Sequence, residues 1–570
     1  MKTSDYHFSC DNRLFFDVTL GKKTTFVKST AKNMEKELNI GMSFSGGGYR
    51  AATYDLGALS FLDTIRLNDG RTLLDCVSVL ASVSGGTIPA MKYMLAQVRN
   101  QSVSDMVKEL FDFLCNEDLV ARALSEMSAQ KANPDASLIK IMADIYDSCL
   151  FDNAELSDII NNIDRIHVKD YTALATDFDN SLPFRFRITS GFQTTGERLT
   201  YGVFGNSEHK IGRSVVEHIT PGEALACSSC FPSGFEPMVF PDDFKVSQCE
   251  DIVSNITMRF GIMDGGVSDN QGIESVLLAE ERMRKYRDKK AQEGKKRSDK
   301  ALDLVIISDV ASPYMEGYTP SEHMLPKSLG KLTLGRLRNY GLISEAVMIT
   351  LLIIALVLGS KFWLGVLSVI LAIITLANIA GGLLKSKMFS AIRKTFIGNN
   401  ATFISHLKFA TLESLLMNRA KSVIEMSSVV FLKRLRQMSY NSIYDDSEWN
   451  NRVVASAIYD LRPEEKWQSL KKMPEYLVPS EAIQQNSTQA ASMGTTLWFT
   501  SQEKEAGMPQ AILACGQYTM CFNLLQYIEK IETTSANLNP AHDLFKSCKA
   551  QLEQAWKKFQ KDPQWMVPKN

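Results

Sequence analysis

The chain has 570 residues, room for two to four domains or one large domain with insertions, and its 45% hydrophobic and 22% charged content excludes wholesale disorder. Lys+Arg 63 against Asp+Glu 64 leaves a net charge of −1, which removes the global electrostatic case for a nucleic-acid partner. Ten cysteines are too sparse for a disulfide framework, the single C-x-x-C pair (Cys227, Cys230) has no second pair, and the seven histidines form no metal-like cluster, so neither a metal nor a cofactor is expected.

In chain order, Met1 to Phe15 is polar and lacks the apolar stretch of a secretory signal, which favours a reducing cytosolic setting; residues 1–38 read as an extension ahead of the first strand. Asn39 to Phe44 is a short apolar run that enters Ser45-Gly46-Gly47-Gly48, and Tyr49 to Ile65 is helical in pattern. Leu73 to Leu80 repeats the arrangement, passing through Ser82-Val83-Ser84-Gly85-Gly86 into a helical Ile88 to Val98. Such strand–turn–helix units in series predict a parallel sheet covered by helices. Several helices are predicted over Ser102 to Ile163, then strands at Phe184 to Thr189 and Leu302 to Ile307. Between these two strands, the apolar Phe260 to Met263 ends at Asp264-Gly265-Gly266. Residues 281–300 carry ten Lys/Arg against four Asp/Glu and read as a helix end plus exposed loop, either solvated or in contact with anionic lipid. The segment from Lys387 to Asn570 is mixed, with a long helical pattern near Ala420 to Met438.

One segment breaks the soluble pattern. Ala346 to Ser360 carries no charge, Lys361 follows, and Phe362 to Leu384 is again uncharged and mainly apolar. A single helix from Ala346 to Leu384 would be ~58 Å long, about twice a bilayer's hydrocarbon core, and Gly359-Ser360-Lys361 is the natural turn. Basic residues flank both outer ends, so a two-helix transmembrane hairpin with both ends in the cytosol is expected; a single span from Phe362 to Leu384 and a buried core helix are the rivals.

Three local motifs could carry chemistry. Ser84 stands on a tight turn between strand and helix, the nucleophile-elbow arrangement, with Gly85 and Gly86 behind it and Ser82 where the usual pattern has glycine. Gly46, Gly47 and Gly48 would let bare N–H groups hold an anion or an oxyanion; no G-K-[ST] follows, so this is not a nucleotide-binding P-loop. Asp264, at a strand end and freed by Gly265 and Gly266, is placed to accept a proton from a serine hydroxyl. Taken alone, the serine and aspartate motifs are more often ordinary turns, and the glycine stretch is as often one.

Together, Gly46-Gly47-Gly48-Tyr49-Arg50, Ser82-Val83-Ser84-Gly85-Gly86 and Asp264-Gly265-Gly266 resemble the motifs of the patatin-like phospholipase family, here in a bacterial-type form with an inserted transmembrane segment. The block Ala224 to Pro232 is similar to the small-residue helix that precedes the family's aspartate, and Gly516-Gln517-Tyr518 is similar to its closing region. The resemblance implies a three-layer α/β/α hydrolase sheet and a Ser84–Asp264 dyad with a glycine oxyanion hole, cleaving fatty-acyl esters of phospholipids without a metal. A catalytic histidine is then not needed, and His167, His209 and His218 read as ordinary residues, as do Cys227 and Cys230. Arg50 would brace the glycine loop, meet a lipid phosphate, or lie on the surface. The implied organisation is a catalytic core at 39–330, a hairpin at 340–386 that meets the bilayer through 342–384, and a helical part at 387–570 that completes the catalytic domain on the cytosolic face of the membrane. A lysophospholipase or neutral-lipid esterase would use the same residues, and a silent membrane scaffold of the same fold would keep the sheet without the chemistry.

Overall fold

The computed structural model describes residues 38–569 apart from 130–136, 193–197, 233, 255, 291–300, 312–318, 322–329, 393–407, 450, 464–472 and 534–541. The sheet runs through β1 (Ile40–Phe44), β2 (Val77–Val83), β3 (Asp170–Asp177), β4 (Leu182–Phe192), β5 (Arg198–Gly205), β6 (Lys210–Ile211), β7 (Met238–Phe240), β8 (Phe260–Asp264), β9 (Leu304–Asp309) and β10 (Val453–Ala457). Its spatial order is β10-β9-β1-β2-β3-β4-β5-β6, with β8 on β3 and β7 on β8. From β10 to β3 the pairing is parallel, and from β3 outward through β4, β5 and β6 it is antiparallel.

The parallel half is covered on both faces, so its strands are buried throughout and read as apolar runs. Alternation divides their side chains between two cores. Leu80, Leu304 and Ile306 join the larger cluster under α1 (Gly48–Leu62) and α2 (Thr87–Val98). Val79, Ala81, Val305 and Ile307 join a smaller cluster on the opposite face. Helices over Val103–Asn116, Leu119–Ala129, Leu138–Leu150 and Leu156–Ile160 fill the long excursion before β3, and α3 (Pro221–Ser229) precedes β7 and β8. The smaller cluster packs under α4 (Ile273–Lys290). Arg282, Arg284 and Lys285 of α4 are engaged by Asp170, Glu280 and Glu281, so part of the basic run is tied within the fold; its continuation 291–300 lies outside the described residues.

After β9, α5 (Leu334–Val357) and α6 (Lys361–Ile392) form a helical hairpin turning at Leu358–Ser360, with Gly359 at φ 68°. Within α5, Asn339–Val357 has mean hydropathy 2.2 and is only 6% buried, and it is long and apolar enough to cross a membrane. A core helix would be mostly buried, so that rival fails for α5. The described apolar part of α6, Lys361–Leu376, is shorter. Ile353, Val357, Phe362, Val369 and Ile373 point outward, the reverse of a soluble surface. The two helices are joined by Asn378 Nδ2 donating to Glu345 Oε1 at 2.9 Å.

The chain then forms α7 (Phe409–Glu425), a π-helical turn at Met426–Val430, and α8 (Phe431–Tyr444), and returns to the sheet as β10. Finally α9 (Met508–Thr533) packs along α1 at backbone distance: a Cβ on Gly516 would lie 2.0 Å from Tyr54 O, and one on Gly57 would lie 2.2 Å from Leu513 O.

Candidate active site

The predicted strands around the two catalytic candidates do not touch each other through their own ladder. They meet on β3. Parallel β2 pairs with β3 up to Val83 opposite Leu174; antiparallel β8 pairs with it from Asp264 opposite Ala175. Because Leu174 and Ala175 are consecutive, β2 and β8 abut end to end along one edge of β3, and Ser84 and Asp264 sit at the junction. Thr176 Oγ1 on β3 also donates to Asp264 O at 2.8 Å.

A second element locks that junction. The C-terminal end of α3 offers Ser228 Oγ to the Ser84 N–H at 2.9 Å, while Ser228 Oγ donates to Leu174 O at 2.6 Å. The Ser228 carbonyl accepts Gly265 N–H at 3.2 Å, and the Cys230 carbonyl accepts Asp264 N–H at 3.3 Å. Ser84 itself has φ 51°, a left-handed conformation that is strained for a residue with a Cβ and that turns its side chain out of the sheet. Ser82, the departure from the elbow pattern, is buried and shares a hydrogen bond with Tyr171 OH at 3.1 Å.

Asp264 is 2% exposed. Its Oδ1 accepts the Gly266 N–H at 2.6 Å, and Oδ2 has no full hydrogen-bond partner among the described residues. Burial raises its pKa to about 7, against the pull of Gly266 N–H and the nearby Ser84 hydroxyl. A carboxyl poised there is suited to accept and return a proton at neutral pH.

The glycine loop follows β1. Gly46 N–H donates to Asn270 O at 2.9 Å and is therefore already used, which corrects the expectation that all three glycines offer donors. Tyr49 N–H is likewise taken by Thr496 O at 2.8 Å. Gly47 and Gly48 are left as the candidate donors. Gly48 has φ 59°, and a Cβ on it would strike Thr496 O at 2.4 Å. Across from it, a Cβ on Gly85 would fall 2.1 Å from Gly48 O and 2.6 Å from Gly48 N, so the loop and the elbow touch backbone to backbone.

These groups open onto one cavity of about 1120 Å³, slightly larger than the usual ligand pocket, whose wall includes Gly46, Gly47, Gly48, Ser84 and Asp264. Phe231, Phe235, Met426, Val429, Leu497 and Trp498 supply apolar lining, and Arg50, Lys433 and Arg436 supply charge. Arg50 is buried, not on the surface: Nη1 donates to Met493 O at 2.5 Å and to Tyr459 OH at 3.4 Å, while Nε has no partner among the described residues. Burial lowers its pKa, and Tyr459 and Asp309 oppose that shift. Arg436 is held by Asp309, Nε to Oδ2 at 2.7 Å.

His209 is bonded to Asp177 and stacked on Phe260, and His167 is bonded to Tyr93; neither lines the cavity. Cys227 and Cys230 are fully buried. Sequence reasoning missed β3, the clamp by Ser228, and the cavity roof formed by α7 and α8. Ser228 lay within a recognised block, Ala224 to Pro232, but its role depends on contacts with Ser84, 144 positions away.

Comparison with curated protein sequences gave no match. Among solved structures, human GIVD cytosolic phospholipase A2 is similar at 15% identity, covering 48% of this chain and 43% of that one, with a TM-score of 0.29. The same protein in complex with methyl gamma-linolenyl fluorophosphonate is similar at 18% identity over 35% of this chain and 33% of that chain, with a TM-score of 0.21. The present chain thus spans less than half the length of these structures, and the alignments are too loose to carry residue roles. The family model for patatin-like phospholipases matches residues 42–277, a range that contains the glycine loop, the elbow and the Asp-Gly-Gly turn. Residues 42–277, about two-fifths of the chain, are thus similar to a patatin-like phospholipase domain.

Proposed function

We propose that the chain is a membrane-anchored serine lipid acyl hydrolase of phospholipase A type. The observation that carries this reading is the end-to-end meeting of β2 and β8 on β3, which brings Ser84 and Asp264 together at the wall of a largely apolar cavity. In the proposed reaction Asp264 takes the proton of Ser84 Oγ as that oxygen attacks the ester carbonyl. The N–H groups of Gly47 and Gly48 hold the oxyanion. Collapse of the tetrahedral intermediate breaks the ester C–O bond, and Asp264 returns its proton to the departing lyso-lipid alcohol. Water then adds to the acyl-enzyme with Asp264 again as base, releasing the fatty acid and restoring Ser84.

The two parts of the chain on either side of the hairpin form one catalytic body in this reading, because β10 extends the sheet and α9 covers α1. The hairpin α5–α6 crosses the bilayer twice, and both of its ends face the cytosol. Its outward apolar faces support that placement. Residues 281–300 add an electrostatic contact with anionic lipid.

Incubation of the purified protein with mixed lipids, followed by mass spectrometry, tests the activity. Free fatty acid and lyso-phospholipid should appear with the wild type and be absent with Ser84→Ala. Products from lyso- or neutral lipids alone would move the substrate class, and no products from any lipid would leave a silent scaffold.

A further inference from the structure

The cavity roof is one nearly continuous helix, α7 and α8 joined through the π-turn at Met426–Val430. Its inner side contributes Ser422, Glu425, Val430 and Lys433 to the cavity wall. Its outer side is apolar: Val423, Ile424, Met426 and Phe431 are 60%, 50%, 59% and 44% exposed. A roof helix facing water should carry polar residues there. No residue of α7 is buried, so this helix gains little from core packing. Met426 and Val429 line the cavity and also reach the outer surface, which makes the π-turn its rim. Such turns insert an extra residue into a helix and recur at functional sites.

Two observations identify what covers this face. The first is continuity with the hairpin. Phe409 N–H, at the start of α7, donates to Leu332 O at 2.8 Å, and Thr333, which caps α5, bridges to Lys408. The roof and the apolar hairpin therefore spring from the same two short segments. The second is charge: of the charged residues over Phe409–Tyr444 that do not line the cavity, Arg419 and Arg434 outnumber Glu413, which suits an anionic surface.

We propose that the outer face of α7, the π-turn and α8 is a bilayer-docking surface that seats Val423, Ile424, Met426 and Phe431 among lipid headgroups and upper acyl chains. A lipid then leaves the bilayer across the Met426–Val429 rim and enters the cavity without crossing water. This deepens the hydrolase reading and rests on it for the identity of the lipid as substrate, but the docking itself does not depend on turnover.

The test uses the full chain reconstituted into phosphatidylcholine/phosphatidylglycerol vesicles that contain an alkyne-tagged phosphatidylcholine. A photoreactive benzoylphenylalanine at position 424 or 431 should cross-link tagged lipid, whereas one at the exposed Lys557 position should not. Cross-links to a second copy of the chain, or none, would overturn the proposal. In parallel, the triple variant Val423→Ser, Ile424→Ser, Phe431→Ser, none of which lines the cavity, should hydrolyse a short soluble ester at the wild-type rate and vesicle lipid at least tenfold more slowly. An undiminished vesicle rate would also overturn it. If the wild type hydrolyses neither substrate, the hydrolase reading fails while the cross-linking result still decides the docking surface.

Discussion

Replacing Asp264 by asparagine separates what this carboxyl does for chemistry from what it costs the fold. An unfolded aspartate titrates near 3.9. In the folded chain burial raises Asp264 to about 7. Between roughly pH 4 and pH 7 the unfolded chain has released this proton while the folded chain retains it, so the folded state binds more protons and stability falls as pH rises through that window. A gap of about three pH units corresponds to on the order of 4 kcal/mol, fully felt above pH 7 and absent below about pH 4. Asparagine carries no charge to desolvate, and its Oδ1 can still accept the Gly266 N–H that Asp264 now accepts at 2.6 Å. Asp264→Asn should therefore unfold a few degrees above wild type at pH 8 and close to it at pH 4.5. Its esterase activity should fall by about 10⁴-fold, because the base is gone. In the wild type, kcat/KM should rise with pH and reach half its plateau near pH 7, since only about a tenth of the base is ionised one unit lower. Thermal unfolding followed by circular dichroism in detergent, with a pH–rate profile on a soluble ester, reads both quantities. An equal difference in Tm at the two pH values, or a rate flat from pH 5.5 to 8, would refute the reasoning.

Ser228→Ala removes the acceptor of Ser84 N–H and the donor to Leu174 O, leaving two buried groups unpaired at about 1–3 kcal/mol each; labelling of Ser84 by a fluorophosphonate should slow at least tenfold, with Ser228→Thr restoring much of the rate. Gly48→Ala forces a side chain into φ 59° and towards Thr496 O, turning a backbone donor aside, so kcat should drop by about 10²–10³ while KM changes little. Gly516→Val has no room against Tyr54 O and should cost about 3 kcal/mol or more, read as a lowered Tm. For the hairpin, single cysteines at Glu274 and Lys557, in a background stripped of reactive native thiols, should label from the same side of sealed vesicles; opposite sides would mean an odd number of spans.

Most of the parallel half of the sheet was legible because β1, β2 and β9, buried on both faces, are mainly apolar. Ile40–Phe44 matched its apolar run almost residue for residue, and the glycine and serine turns marked where the sheet hands over to helices. The second strand was placed a few residues early because Leu73, Leu74 and Cys76 extend the apolar run into a 3₁₀ turn that precedes β2. β3 left no such trace. Its sequence, DYTALATD, is half polar, yet every residue is buried, because Arg282 neutralises Asp170 and Asn180, Asn206 and His209 satisfy Asp177. That polar strand is what aligns Ser84 with Asp264. β10 was hidden for a different reason: it pairs with β9 only after the chain has passed through the hairpin and the roof. The helical pattern at Ala420 to Met438 was visible, but its place over the cavity is a tertiary fact. Motif spacing identified the glycine loop; that Gly46 is spent on Asn270 could be read only from hydrogen bonds.

The central claim is that Ser84 is the nucleophile, activated by Asp264 in the proposed cavity. A lipid-like fluorophosphonate, incubated with the purified protein and followed by peptide mass spectrometry, tests it most directly. The account predicts a single covalent adduct on Ser84, abolished by Ser84→Ala and strongly slowed by Asp264→Asn at pH 8. An adduct on another residue, or undiminished labelling of the Ser84→Ala protein, would contradict it.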